Sequence, residues 1–266
     1  MSRRPNRSTE RRPPRGERSA KSSADAVFIY GFHAVREALR AQNRQIIRLV
    51  ATEAAAARLA PEIASRGLSP SIVSSEQIAA RLGPDAVHQG VLLEARPLGP
   101  IALDDLPDDG FVLVLDQVTD PHNVGAILRS AASFGIDALI TTERHSPALT
   151  GVLAKSASGA LEHVPIAVVV NLSRALAELG DMGYWRIGLD SDGEQAFGAI
   201  AFARPLALVL GAEGKGLRRL TRENCDTVAR LDLPGPIKSL NVSNACAVAL
   251  ALASLKIAPR SPQSSE

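Results

Sequence analysis

Short apolar runs alternate with helical patterns through residues 111–258. Six apolar runs predict strands: FVLVLDQV (111–118), DALITT (137–142), VPIAVVV (164–170), YWRIGLD (184–190), LALVLGAE (206–213) and VARLDLP (228–234). The intervening helical stretches are VGAILRSAASFG (124–135), PALTGVLAKSA (147–157), LSRALAELGDMG (172–183) and SNACAVALALASLKI (243–257). This alternation predicts an α/β domain with a mostly parallel sheet that is covered by helices on both faces.

A second, smaller pattern occupies residues 26–97. Helical spacing follows Gly31, and later stretches predict a strand (46–52), a helix that ends at Gly67, a short strand and helix (71–83) and a closing strand (88–96). These elements predict a compact α/β unit. Residues 98–110 are rich in Pro, Gly and Asp and are predicted to be a linker.

Composition limits the class of protein. Hydrophobic residues make up 45% of the chain, enough for real cores. No apolar run approaches the roughly 18–20 residues of a membrane span. Neither the two cysteines, Cys225 and Cys246, nor the five histidines show metal-ligand spacing. We therefore expect no metal, no membrane segment, and free thiols in a reducing compartment, the cytoplasm.

Charge is unevenly distributed along the chain. Residues 1–22 hold eight Lys and Arg against two Asp and Glu, whereas the remainder holds 22 against 26. Because this Arg-, Pro- and Ser-rich segment has almost nothing to bury, residues 1–25 are predicted to be a disordered basic tail. Two interpretations stay open for it: a solubilising extension, or non-specific attraction to phosphates. Residues 259–266 are predicted to be a flexible C-terminus.

Three loops concentrate polar residues and glycines where predicted strands end. In TDPHNVG (119–125) an Asp-Pro pair suits an ordinary helix start. GAEGKGL (211–217) fails both the Walker and the dinucleotide spacing and leaves exposed backbone with one acid, Glu213. LPGPIKSLNVSNACAVAL (233–250) places four Ser and Asn side chains within six residues, more than helix capping needs. The third loop is therefore the most informative stretch of the chain.

In this order, the three loops closely resemble the motifs of the SpoU-type RNA ribose 2′-O-methyltransferases of the SPOUT superfamily. The matching stretches are DPHNVGAILR (120–129), LVLGAEGKGL (208–217) and LPGPIKSLNVSNA (233–245). Five polar positions fit the family pattern: Asn123, Arg129, Glu213, Ser239 and Asn241. The segment from YGFHAVREAL to HQGVLLEA resembles the substrate-binding domain of the rRNA branch, and in particular of the enzymes that methylate guanosine in large-subunit rRNA. Asn244 departs from the pattern, because some relatives carry Val there.

The resemblance implies a fold, a cofactor and partners. It implies a ribosomal-protein-like α/β domain for RNA at 26–97, then a methyltransferase domain at 111–258 whose parallel sheet contains a deep trefoil knot. It also implies that S-adenosylmethionine is the cofactor, that RNA is the substrate and that two subunits pair. Three residues would contact the adenosine of the cofactor: Gly211, Leu233 and Leu240.

By the same resemblance, the five polar positions carry catalysis. The family proposal makes Arg129 the base that takes a proton from a ribose hydroxyl. Arginine is a difficult base because its pKa lies above ~12. Two roles therefore stay open: a base whose proton is displaced when RNA binds, or a clamp for the target phosphate. The other four residues would hold Arg129, the ribose and the loop backbone by hydrogen bonds.

The predicted function is S-adenosylmethionine-dependent 2′-O-methylation of a guanosine ribose in large-subunit rRNA. Two alternatives stay open. One is a tRNA ribose methyltransferase, which the separate unit at 26–97 disfavours because the best-known tRNA branch lacks it. The other is a non-catalytic RNA-binding factor in ribosome assembly, which the presence of all five polar positions disfavours.

Overall fold

Two β-sheets organise the computed structural model, which describes residues 26–83, 85–144, 157 and 159–257. The smaller sheet has the order β1-β4-β2-β3, and its strands are β1 Val27–Tyr30, β2 Ile46–Ala51, β3 Ser71–Ile72 and β4 Val91–Ala95. Its helices are α1 Phe32–Arg40, α2 Glu53–Arg58, α3 Ala60–Ser65 and α4 Ser75–Leu82. β4 pairs antiparallel with both β1 and β2, so the predicted closing strand lies inside the sheet.

The predicted helix that ends at Gly67 is wrong in one respect, because it forms two short helices. α2 ends at Arg58, and Leu59 leaves the helical region with φ −101° and ψ 8° before α3 begins. Pro61 explains the break, since its ring lacks an N–H and clashes with the carbonyl four residues earlier. Pro61 is tolerated in the first turn of α3, where no such bond is needed.

The larger sheet has seven strands in the order β7-β6-β5-β10-β8-β11-β9, and all described pairs in it are parallel. Its strands are β5 Phe111–Asp116, β6 Ala138–Thr142, β7 Ile166–Val169, β8 Trp185–Leu189, β9 Gln195–Ala196, β10 Leu206–Gly211 and β11 Thr227–Arg230. Its helices are α5 Pro121–Ser133, α6 Leu172–Asp181, α7 Arg219–Glu223 and α8 Val242–Ser254. The predicted α/β class is confirmed; the two-residue strand β9 was not predicted.

Apolar layers cover both faces of this sheet. Phe111, Leu113 and Leu115 point to one face, where they join the buried residues of α5 and α8 in one core. Val112 and Val114 point to the other face and pack with the buried leucines of α6. Because the central strands β5 and β10 are buried on both faces, they read as continuous apolar runs rather than as alternating ones.

A buried ion pair joins the two units. Arg44, in the loop after α1, donates to Glu162 through Nε at 3.0 Å and through Nη2 at 2.5 Å. Both side chains are almost fully buried, with 3% and 2% exposed. Arg44 also donates from Nη1 to the carbonyl oxygen of Arg96 at 2.9 Å, so the guanidinium has three acceptor contacts.

Several predictions fall outside the described residues. These are the basic tail (1–25), all but the last residue of the helix predicted over 147–157, and the C-terminus (259–266). Across the described part of the chain, no helix is long and apolar enough to cross a membrane. Within that same part, no group of three or more His, Cys, Asp or Glu residues is arranged to hold a metal ion.

Candidate active site

The three polar loops meet at the carboxyl ends of the central strands β5 and β10. Asp116 and Gly211, the last residues of these neighbouring strands, stand opposite each other in the sheet. One loop leads from β5 into α5, one follows β10, and one precedes α8. Ligands of open α/β sheets bind at this edge, and most readily where the strand order reverses, as it does between β5 and β10.

Asn241 joins all three loops. Its Nδ2 donates to Asn123 Oδ1 at 3.0 Å and to Glu213 Oε2 at 3.2 Å. Its Oδ1 accepts from the backbone N–H of Ser243 at 2.9 Å and from Ser243 Oγ at 2.6 Å, so Asn241 also caps α8. Three of the five predicted polar positions are thus brought into direct contact.

The helix-start interpretation of the first loop is also correct. Asp120 is the N-cap of α5 and accepts from the backbone N–H of His122 at 3.1 Å, while Pro121 occupies the first helical position. This cap determines where α5 begins. Asn123 therefore lies in the first turn of α5, half-buried, and its side chain can reach the loop that precedes α8.

Two chain segments approach each other closely in the glycine loop after β10. A Cβ on Gly211 would lie 2.3 Å from the carbonyl carbon and oxygen of Gly216, so only glycine fits. Gly214 and Gly216 have φ of 74° and 62°, a region that glycine adopts readily. The loop therefore presents main-chain groups where a side chain would otherwise stand.

A cleft of about 480 Å³ lies beside this loop. Five of the predicted residues line it: Gly211, Glu213, Leu233, Ser239 and Leu240. Its lining includes the glycine loop and several leucines, which suit a ligand that is bound partly through main-chain groups and apolar contact. The structure thus brings four of the five predicted polar residues, all except Arg129, to the same region as the three residues expected to contact the cofactor.

Arg129 stands apart from these contacts. It lies on α5, six residues after Asn123, and is exposed. Six residues of helix correspond to a rise of about 9 Å. Within the described part of the chain, no side-chain hydrogen bond or ion pair engages its guanidinium, so Arg129 remains available to a ligand.

Sequence reasoning missed Asp190, which follows β8 and lines the cleft. Its carboxylate accepts from the backbone N–H of Leu217 at 2.9 Å and of Asp192 at 3.0 Å, and it pairs with Arg222 at 2.9 Å. Burial by itself raises the pKa of Asp190, but the two N–H groups and Arg222 outweigh it and hold the pKa below its ordinary value. The available signal was an acid as the last residue of a predicted strand, YWRIGLD.

A second missed carboxylate, Asp116, is fully buried at the end of β5. It accepts from the backbone N–H of Arg218 at 3.0 Å and from Arg218 Nε at 2.6 Å. Arg218 directly follows the glycine loop in sequence. Asp116 and Asp190 therefore anchor the C-terminal end of that loop from two different strands.

Comparisons with known proteins agree with this geometry. The model of the SpoU rRNA Methylase family matches residues 110–251, and a model described as RNA 2′-O ribose methyltransferase substrate binding matches residues 28–100. The chain belongs to the SpoU rRNA methylase family. The family resemblance of the sequence motifs is thereby confirmed.

Similar proteins match over most of their length. The 23S rRNA (guanosine-2′-O-)-methyltransferase RlmB of Ralstonia nicotianae is 41% identical over 243 residues, covering 84% of this chain and 93% of that protein. RlmB of Yersinia pestis is 37% identical over 233 residues, covering 84% and 94%. The crystal structure of the SpoU methyltransferase AviRb from Streptomyces viridochromogenes, in complex with AdoMet, has a TM-score of 0.75 and 22% identity, covering 87% of this chain and 90% of that one. The last likeness concerns the fold.

Proposed function

We propose that this protein transfers a methyl group from S-adenosylmethionine to the 2′-hydroxyl of a guanosine in large-subunit rRNA. The observation that carries the proposal is the contact of Asn241 with Asn123 and Glu213, which assembles three family motifs beside one cleft. The RlmB relatives, named for this activity, support the choice of reaction and substrate. The match of residues 28–100 to a substrate-binding model supports an RNA-binding role for the N-terminal unit.

The residues of the cleft fit the proposed cofactor. Leu233 and Leu240 offer apolar contact to an adenine ring, and the loop beginning at Gly211 offers main-chain groups at close range. Gly211 and Gly216 approach so closely that there is no space for a Cβ on Gly211. No side chain at Gly211 therefore stands between the backbone and a bound ligand. When bound, S-adenosylmethionine supplies an electrophilic methyl group, so the protein needs no covalent nucleophile.

The polar residues then have to position a ribose and ease a proton from its hydroxyl. We assign the proton or phosphate contact to Arg129, because its guanidinium is exposed and engages no described side chain. The hydrogen bonds of Asn241 to Asn123 and Glu213 hold the three loops in fixed positions relative to one another. Ser239, which is exposed on the rim of the cleft, is left to contact the substrate.

Replacing Arg129 tests its role. We expect Arg129→Ala to lower kcat by about 100-fold or more if Arg129 accepts the proton, since general-base catalysis is worth that much. If Arg129 instead binds a phosphate, Arg129→Ala should raise the KM for RNA. Arg129→Lys, which keeps the positive charge, should then raise this KM less than Arg129→Ala does. Cofactor affinity, measured by calorimetry, should stay within a few-fold; an equal loss of affinity and activity would show that Arg129 is structural.

The substrate is tested with purified protein, radiolabelled S-adenosylmethionine and two protein-free RNAs from one host. We expect label in large-subunit rRNA, at one ribose, and none in tRNA. Label only in tRNA would move the protein to the tRNA branch. Cofactor binding without transfer to either RNA, or to assembling large subunits, would favour the non-catalytic assembly factor.

We further propose that two copies pair and that the methyltransferase domain is knotted, as the family resemblance implies. Two apolar side chains near the C-terminal helix support pairing, because Val248 is 40% and Leu255 is 85% exposed. Light scattering at working concentration tests it, and a monomer would contradict it. Action on ribosomal RNA also implies a cytoplasmic protein.

A further inference from the structure

A second cleft, of about 490 Å³, opens at the same edge of the large sheet. It lies where β5, β6 and β7 end and where α6 and α7 begin, and Gln117, Thr142, Arg144, Arg218 and Arg219 contribute to its walls. The segment after the glycine loop separates it from the cofactor cleft, since residues 211–217 line one and residues 218–220 line the other. A ligand could therefore extend from one cleft to the other along a single edge.

In the part of the chain that the structure describes, the charged side chains that line this second cleft are all positive. Three described arginines line it, and no described Asp or Glu does. Arg218 is held by the buried Asp116, and Arg219 forms an exposed pair with Glu223 at 2.6 Å. Exposed pairs of this kind are weak and are screened by salt, so Arg219 can leave Glu223 and bind a phosphate instead. Among the described residues, no side chain pairs with the Arg144 guanidinium.

The backbone beside the arginines is unusually constrained. Gln117 has φ of 60°, which a residue with a Cβ adopts rarely, and its side chain lines the cleft. Thr142 donates from Oγ1 to the carbonyl oxygen of Arg144, and this hydrogen bond stabilises the turn after β6. Conformations of this kind persist where the surrounding structure holds them, and they concentrate at ligand sites. The cleft is therefore formed by fixed backbone rather than by side chains alone.

We propose that this cleft binds the phosphodiester backbone of the RNA strand next to the methylated ribose. Guanidinium groups match phosphate oxygens in geometry and charge, and no acidic side chain among the described wall residues would repel an RNA strand. Exposed apolar side chains at the rim, Val170 and Leu220, can lie against sugars. The proposal rests on the proposed function, because it assigns the path of that substrate.

The test measures binding of a short fluorescent single-stranded RNA to the full chain over a series of KCl concentrations. We expect Arg144→Ala and Arg219→Ala each to weaken binding about three- to ten-fold at low salt. Each should also reduce the slope of log affinity against log salt by about 0.7, the value for one lost phosphate contact on a single strand. Arg218 is left in place because its contact with the buried Asp116 supports the fold.

The matched control is Arg174→Ala, which removes an exposed arginine of α6 that does not line the cleft. It should change neither affinity nor slope by a comparable amount. A single-stranded DNA of the same sequence should lose affinity by the same factor, since phosphates are common to both. Unchanged slopes in the cleft variants, equal loss in the control, or loss confined to RNA would each overturn the proposal.

Methylation assays separate this proposal from the proposed function. In the cleft variants, we expect the KM for protein-free large-subunit rRNA to rise about three- to ten-fold, with kcat and cofactor affinity within two-fold of the original chain. An unchanged KM overturns the cleft proposal while leaving the reaction intact. Absence of methylation by the original chain would refute the proposed function. The RNA-binding measurements over the KCl series would still test whether the cleft binds phosphates.

Discussion

At the scale of single residues, Asn241 organises the candidate site. An Asn side chain has two donor hydrogens and an oxygen with two lone pairs. Here the nitrogen donates to Asn123 and Glu213, and the oxygen accepts twice from Ser243. All four positions are used, so the network determines the orientation of the amide. One residue therefore links helix capping to the assembly of the motifs.

Asn241→Ala should lower both stability and methyl transfer. Loss of an N-cap costs about 1 kcal/mol of unfolding free energy, and Asn123 and Glu213 would also lose their shared partner. Urea unfolding and kcat measure the two effects. Asn244→Ala is the control, since Asn244 is exposed on the same helix and has no side-chain hydrogen bond among the described residues. Equal effects at the two positions would contradict the role of Asn241.

Asp190 makes stability depend on pH. Its pKa in the folded protein is lowered, so its stabilisation is present above the unfolded pKa of about 3.9 and is lost as pH falls through the folded value. We expect the unfolding free energy of the original chain to fall more steeply in acid than that of Asp190→Asn. Urea unfolding over a pH series measures this, and parallel curves would refute it.

At the scale of elements, the glycine loop after β10 lines the first cleft, and the residues that directly follow it line the second. Gly211 ends a buried strand, and Gly216 returns against it as the chain turns toward α7. Ala212 and Gly216 form an antiparallel bridge that closes the loop. The Asp190 carboxylate then accepts from Leu217. The shape of the cofactor cleft thus depends on close backbone packing, which only glycine permits.

Gly211→Ala should distort this loop. Its Cβ would lie 2.3 Å from backbone atoms of Gly216, and backbone cannot move aside as a flexible side chain can. We expect a loss of about 1–3 kcal/mol of unfolding free energy, typical of overpacking, and cofactor affinity reduced more than tenfold. Gly235→Ala is the control, because a Cβ there meets open space in the neighbouring loop. Full cofactor affinity in Gly211→Ala would contradict the close fit.

At the scale of the whole molecule, a buried ion pair connects the two units. Arg44 comes from the smaller unit and Glu162 precedes β7 of the larger one. Taking two charges out of water is costly, so such a pair adds little stability when intact but penalises the loss of one partner. The pair therefore favours one placement of the smaller unit against the larger one.

Glu162→Ala should destabilise the protein strongly, by about 3–5 kcal/mol, because it leaves the Arg44 charge buried without its partner. Thermal unfolding followed by calorimetry measures this and shows whether the units then unfold separately. Removal of an exposed pair is the control: Glu223→Ala should cost less than about 1 kcal/mol. Similar losses in the two variants would show that burial of the pair is unimportant.

Much of the fold followed from local pattern. The six apolar runs form six strands of the large sheet. The two central strands, β5 and β10, have continuous apolar sequence because they are buried on both faces. The Asp-Pro pair at 120–121 begins α5 as expected. The prediction failed where a single residue interrupted a helical pattern, because Pro61 divides the predicted helix into α2 and α3. It also missed β9, because two residues carry no periodicity.

By itself, the sequence predicted the α/β class from local periodicity, and the resemblance of its motifs indicated the family and the five polar positions. Only the tertiary structure decided which of them touch. Asn241 reaches Asn123 across 118 positions of sequence, and Arg44 reaches Glu162 across 118 as well. Contacts between residues so far apart depend on the order of strands in the sheet and on which loops share an edge. No local pattern encodes that arrangement, because it arises from the simultaneous burial of all the elements.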